Sequence, residues 1–115
     1  MTTSRRGDVV LVPFPFSDLT AVKRRPALVV STRVYNEATG DTIIAQITSK
    51  VKSPPRPGDH ILKRWRAAGL PLPSLVRAKL TTLHSSLFIR TLGHMPADEM
   101  THIDSGIAEV LELKS

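Results

Sequence analysis

The stretch Lys23-Arg24-Arg25-Pro26-Ala27-Leu28-Val29-Val30-Ser31 decides how this chain is read. Three consecutive cations stop at a proline, whose fixed φ and missing N–H suit the first residue of a strand. The apolar, β-branched run that follows predicts a buried strand from Ala27 to Thr32. The cations then form a fork at a strand edge. An arginine held by a rigid element grips a phosphate better than one on a free loop, because its planar fork meets two oxygens at once. The plainer reading is a solvated charge run ahead of an ordinary strand.

Outward from that stretch the chain is strand-rich. Asp8-Val9-Val10-Leu11-Val12 predicts a first strand buried on both faces or nearly so, ended by Pro13-Phe14-Pro15-Phe16. Pro13 to Val22 is expected to be a long excursion, with Phe14 and Phe16 either closing the core or offering stacking faces to unpaired bases. Downstream, a short polar segment with Arg33, Tyr35 and Asn36 leads to a third strand, Thr42 to Ile47, ended by Thr48-Ser49. Lys50 to Gly58 carries Pro54, Pro55 and Pro57 among Lys50, Lys52 and Arg56, which predicts an exposed basic loop.

A short strand at Asp59 to Leu62 is expected next. One or two helical turns over Lys63–Ala68 should follow, closed by Gly69, and then strands at Ser74–Leu83 and Phe88–Leu92. Pro96 stands where the first helical residue belongs, and Met100, Ile103, Ile107, Val110 and Leu111 recur at helical spacing. The expected fold is mainly β with helices: a small SH3-like barrel covered by a C-terminal α-helix, forming one domain over residues 1–115.

Composition narrows the partners. Sixteen Lys and Arg against ten Asp and Glu give a net charge of +6, which favours a polyanion. There is no cysteine, hence neither a disulfide nor a thiolate metal site. No apolar run reaches the roughly 18 residues of a membrane span, no signal-peptide core is present, and a cytoplasmic protein is expected. His60, His84, His94 and His102 form no metal-ligand spacing, so no metal and no cofactor are expected.

The ordered set Gly7-Asp8-Val9-Val10-Leu11-Val12, Lys23 to Ser31, Gln46-Ile47-Thr48-Ser49, Pro73-Ser74-Leu75-Val76-Arg77 and Leu80-Thr81-Thr82-Leu83 resembles the MazF/PemK family of toxin endoribonucleases. The resemblance covers nearly the whole chain. It implies the SH3-like barrel of the MazF/CcdB class, a homodimer, ribosome-independent and metal-independent cleavage of single-stranded RNA, and a cognate MazE-like antitoxin with an acidic segment. Carried over by position, it makes Arg25 and Thr48 the catalytic pair. PemK-type members carry an acid two residues after the arginine that Arg77 matches, and Lys79 stands there instead.

The chemistry agrees in part. RNA cleavage through the 2′-hydroxyl needs one proton removed, one supplied, and charge on the phosphoryl oxygens stabilised. Arg25 suits the last task, and possesses a pKa too high for a base; Thr48 can hydrogen-bond the 2′-hydroxyl or a phosphate oxygen. The proton acceptor is left open, with His84 the histidine singled out for testing. Phe16, Lys23, Arg24, Ser49, Lys50, Lys52, Arg56 and Arg77 are the candidate RNA-binding residues, with Tyr35 or Trp65 as further stacking faces. Two other readings of the same fold are a toxin that inhibits a protein target such as DNA gyrase and an RNA-binding module without turnover.

Overall fold

The structure, a computed structural model, describes residues 3–14 and 23–113. In chain order these form β1 (Asp8–Phe14), β2 (Lys23–Val29), α1 (Arg33–Thr39), β3 (Asp41–Thr48), β4 (His60–Ile61), β5 (Leu75–His84), a 3₁₀ turn at Ser85–Leu87, β6 (Arg90–His94) and α2 (Ala97–Leu111). The strands pair in one sheet in the order β4-β5-β3-β2-β1-β6, every pairing antiparallel. The sheet curls into a half-barrel with α2 on one face, which is the mainly β architecture with a terminal helix that the sequence predicts.

Alternation in the central strands builds the core on both faces. Val9, Leu28, Ala45 and Ile47 turn toward α2 and pack with Met95 and Ile103. Val10, Val12, Ala27, Val29 and Ile44 turn the other way and are closed by Leu83 and Phe88. Each fully buried Val, Leu or Ile contributes about 1.5–3 kcal/mol. The stability therefore lies in the middle of β1, β2 and β3, and their ends can carry cations at little cost.

Several expectations change. β2 begins at Lys23, because the cation run pairs with β1 all the way to Phe14↔Lys23. β1 runs through Pro13 for the same reason. The polar segment after β2 is a helix: Thr32 caps it by accepting the Tyr35 amide at 3.2 Å, and Gly40 ends it with φ of +75°. Lys63–Ala68 holds a single turn, with the Ala68 amide donating to the Arg64 carbonyl at 3.2 Å, and Gly69 closes it with φ of +84°; the Glu99 carboxylate accepts the Lys63 and Arg64 amides at 2.8 and 2.9 Å. β6 starts at Arg90 and continues past Gly93. On α2 the core stripe holds for Met100, Ile103 and Ile107, but Val110 and Leu111 are exposed.

Candidate active site

β2 and β3 pair only over Ala27–Val29 with Gln46–Ile44, although β2 runs back to Lys23 beside β1 and β3 runs on to Thr48 beside β5. Pro26 explains the parting. The Val30 amide donates to the Ile43 carbonyl at 3.0 Å. In an antiparallel ladder the amides facing one neighbour recur at every second residue, so the next positions facing β3 are Leu28 and then Pro26. Pro26 has no N–H to offer, the ladder stops, and the two strands diverge as a V.

The V opens a cleft of about 590 Å³. Arg24 and Arg25 line it from β2, and Thr48, Ser49 and Lys50 from the end of β3. Two residues beyond the last pair, Ala27↔Gln46, Arg25 and Thr48 hold facing positions across the V. Arg77 enters from β5, Arg90 and Leu92 from β6, and Pro71 and Leu72 add an apolar wall. Among the described residues, five cations and no carboxylate line the cleft, an electrostatic match for a phosphate chain.

Local bonds order the β3 lip. The Lys50 amide donates to Thr48 Oγ1 at 3.2 Å, which leaves the hydroxyl proton for another acceptor. Ser53 Oγ donates to the Lys50 carbonyl at 2.7 Å. Arg77 is held more firmly. Its Nε donates to Asp59 Oδ1 at 3.1 Å, and one terminal nitrogen donates to Asp59 Oδ2 at 3.2 Å and to Ser53 Oγ at 3.4 Å. Asp59 Oδ2 also accepts the Arg56 amide at 2.9 Å. Burial pushes the Asp59 carboxyl up, but the Arg77 hydrogen bond, the Arg56 amide and both guanidinium charges outweigh it and hold its pKa below the usual value.

The cleft thus brings together Arg24, Arg25, Thr48, Ser49, Lys50 and Arg77 of the predicted residues. Lys23, Lys52 and Arg56 are exposed and do not line it. Phe16 lies outside the described residues. Tyr35 sits on α1, and Trp65 packs against the core beneath the Arg66 guanidinium, 4.4 Å from its ring centroid, so neither is a stacking face here.

None of the four histidines lines the cleft. His84 Nδ1 is bonded to Ser86 Oγ at 2.7 Å, His94 pairs with Asp8, and His60 bonds Glu99 and stacks on His102. Lys79 is exposed, and the carboxylate beside Arg77 comes from Asp59. Sequence reasoning did not find Gln46, Arg90 or Asp59. Gln46 was visible as the polar residue two before Thr48, on the same side of an alternating strand. Arg90 and Asp59 carry no local signal.

Comparison with known proteins shows the family and the fold. The family described as PemK-like, MazF-like toxin of type II toxin–antitoxin system matches residues 5–111. The chain is 34% identical over 101 residues to Endoribonuclease MazF2 of Mycobacterium bovis, spanning 86% of this chain and 88% of that protein. A crystal structure of MazF from Deinococcus radiodurans superposes with a TM-score of 0.74 at 26% identity, covering 96% of this chain and 97% of that one. A MazE–MazF structure from the same organism gives a TM-score of 0.71 at 26% identity with the same coverage.

Proposed function

The chain belongs to the PemK-like, MazF-like toxins of type II toxin–antitoxin systems, and on that footing we propose that it is an endoribonuclease. Its substrate is single-stranded RNA, cut at short recurring sequences without a metal ion or a ribosome. The observation that carries this reading is the facing of Arg25 and Thr48 across a cleft lined by cations and, among the described residues, free of carboxylates.

The RNA backbone lies in the V, drawn by Arg24, Lys50 and Arg90. The 2′-hydroxyl loses its proton to solvent, its oxygen attacks the adjacent phosphorus to close a 2′,3′-cyclic phosphate, charge builds on the phosphoryl oxygens, and the bond to the 5′-oxygen breaks as that oxygen takes up a proton. The exposed Arg25 guanidinium stabilises that charge and can hydrogen-bond the leaving oxygen. Thr48, whose oxygen already accepts the Lys50 amide, donates a hydrogen bond to a phosphoryl oxygen. Pro71 and Leu72 offer an apolar surface to a base.

The protein acts as a homodimer in the cytoplasm, and a MazE-like antitoxin neutralises it. The MazE–MazF assembly of Deinococcus radiodurans supports the antitoxin, and the cationic cleft suits an acidic segment that competes with RNA. The test is to incubate purified protein with a long, mixed-sequence single-stranded RNA in a chelator and to map the cut ends. Cuts at one short recurring sequence are expected. Intact RNA would overturn the assignment.

A further inference from the structure

We propose that Asp59 is a positioning residue of the cleft: it fixes the Arg77 guanidinium and, through Ser53 and Lys50, the Thr48 hydroxyl. The inference rests on the nuclease reading above and adds to it a residue that lies outside the cleft lining.

The first argument is the cost of the pair. The Asp59 side chain is 8% exposed and that of Arg77 14% exposed. Charges so enclosed are expensive to desolvate, and two well-packed apolar residues would often serve stability as well or better. The second argument is what the pair does to Arg77. Nε and one terminal nitrogen are bound in a two-point fork, and the other terminal nitrogen makes no hydrogen bond among the described residues. A planar guanidinium held at two of its three nitrogens presents the third in one direction only. Arg77 lines the cleft, so that direction is fixed for a ligand there.

The third argument is continuity. From Asp59 a chain of bonds runs to Arg77, from Arg77 to Ser53 Oγ, from Ser53 Oγ to the Lys50 carbonyl, and from the Lys50 amide to Thr48 Oγ1. Asp59 also closes its own turn by accepting the Arg56 amide, and the Asp59 amide donates to the Arg56 carbonyl at 3.0 Å. The proline-rich loop is thereby tied to β5 at one end and to the Thr48 hydroxyl at the other. Asp59 is not a proton acceptor for the RNA: both of its oxygens are engaged, and its pKa is held below the ordinary range.

The experiment is a double-mutant cycle. Asp59→Asn, Arg77→Gln and the double variant are assayed in single-turnover cleavage beside the wild type, with melting temperatures recorded for each. Asp59→Asn is expected to lower the cleavage rate about 10- to 100-fold while KM moves by less than about 3-fold, the size of effect that misplacement of a catalytic group produces. In the Arg77→Gln background the same substitution should cost less than about 3-fold, since it acts through the residue already removed. Equal losses in both backgrounds, or a rate unchanged by Asp59→Asn, would overturn the proposal.

Ser53→Ala breaks the chain one link further on without removing a charge, and a loss of about 3- to 10-fold is expected from it. That variant decides the matter if Asp59→Asn does not fold, and wild-type cleavage by it would overturn the proposal. A readout independent of cleavage is hydrogen exchange at the Lys50 amide, which should speed up at least about 3-fold in Asp59→Asn or Ser53→Ala. An unchanged exchange rate in both would overturn the inference. Failure of the wild type to cut RNA would count against the nuclease reading alone.

Discussion

Gly106 of α2 and Gly58 of the proline-rich loop meet backbone to backbone: a Cβ on Gly106 would lie 2.7 Å from the Gly58 carbonyl oxygen. Gly58 itself has φ of +85°. In an open helix Gly106→Ala would stabilise by about 0.5–1 kcal/mol. Here the methyl group must push α2 off the loop, and a loss of about 1–3 kcal/mol is expected. Urea denaturation checks the sign, and a gain in stability would contradict the close approach.

Glu99 makes stability fall in acid. The residue is 3% exposed, and its carboxylate accepts from the Lys63 and Arg64 amides and from His60 Nε2 at 2.9 Å. Burial raises its pKa, but the two amides and the His60 contact lower it further, so the net shift is downward. The sign follows: a folded-state pKa below the unfolded value adds stability that is present above the ordinary glutamate range and is lost as pH falls through the folded value. Glu99→Gln should therefore melt lower at neutral pH and lose less on going from about pH 5 to pH 3, where carboxylates titrate. Thermal melts at several pH values test this. Asp59 shifts in the same direction, so part of the acid slope should remain.

Arg25→Ala separates activity from folding. The side chain is exposed at the part of β2 that has left β3. Stability should change by no more than about 0.5 kcal/mol, while cleavage falls at least about 100-fold through loss of charge stabilisation. Thr48→Val is expected to cost activity as well, but no more than about 1 kcal/mol of stability, because the Lys50 amide that loses its acceptor is exposed to water. Cleavage assays paired with melts distinguish the two.

Arg90 supplies a test of electrostatic binding. It lines the cleft from β6, far in sequence from the other cations. For a single-stranded oligonucleotide that cannot be cut, Arg90→Ala should weaken binding and flatten the plot of log affinity against log salt by about 0.7, the contribution of one phosphate contact. Lys52→Ala, at an exposed position outside the lining, should flatten it less.

Runs such as Val9-Val10-Leu11-Val12 and Ile43-Ile44-Ala45 announced their strands because burial on both faces demands apolar residues at every position. The cations of Lys23–Arg25 hid the start of β2, since pairing with β1 is a long-range fact that no local charge pattern reports. α1 is seven residues long, too short to show a periodic stripe, although Thr32 and Gly40 were legible caps. Lys63–Ala68 was legible as one turn closed by Gly69, but not the Glu99 carboxylate that holds its first amides from 36 positions beyond Lys63. Arg25 and Thr48 could be named because the motifs that carry them, Lys23 to Ser31 and Gln46 to Ser49, resemble those of the MazF/PemK family. Asp59 could not, because its partner Arg77 is 18 positions away and reaches it only through the β4–β5 pairing.

The absent amide of Pro26 makes the aperture a property of the main chain. Side chains along the rim can be exchanged without zipping the strands shut, so the lining of the opening can vary while the opening itself stays where it is. Replacing this one imino acid by an ordinary residue would offer Ile47 a rung that it now lacks, and would let the two strands compete with the ligand for the same space.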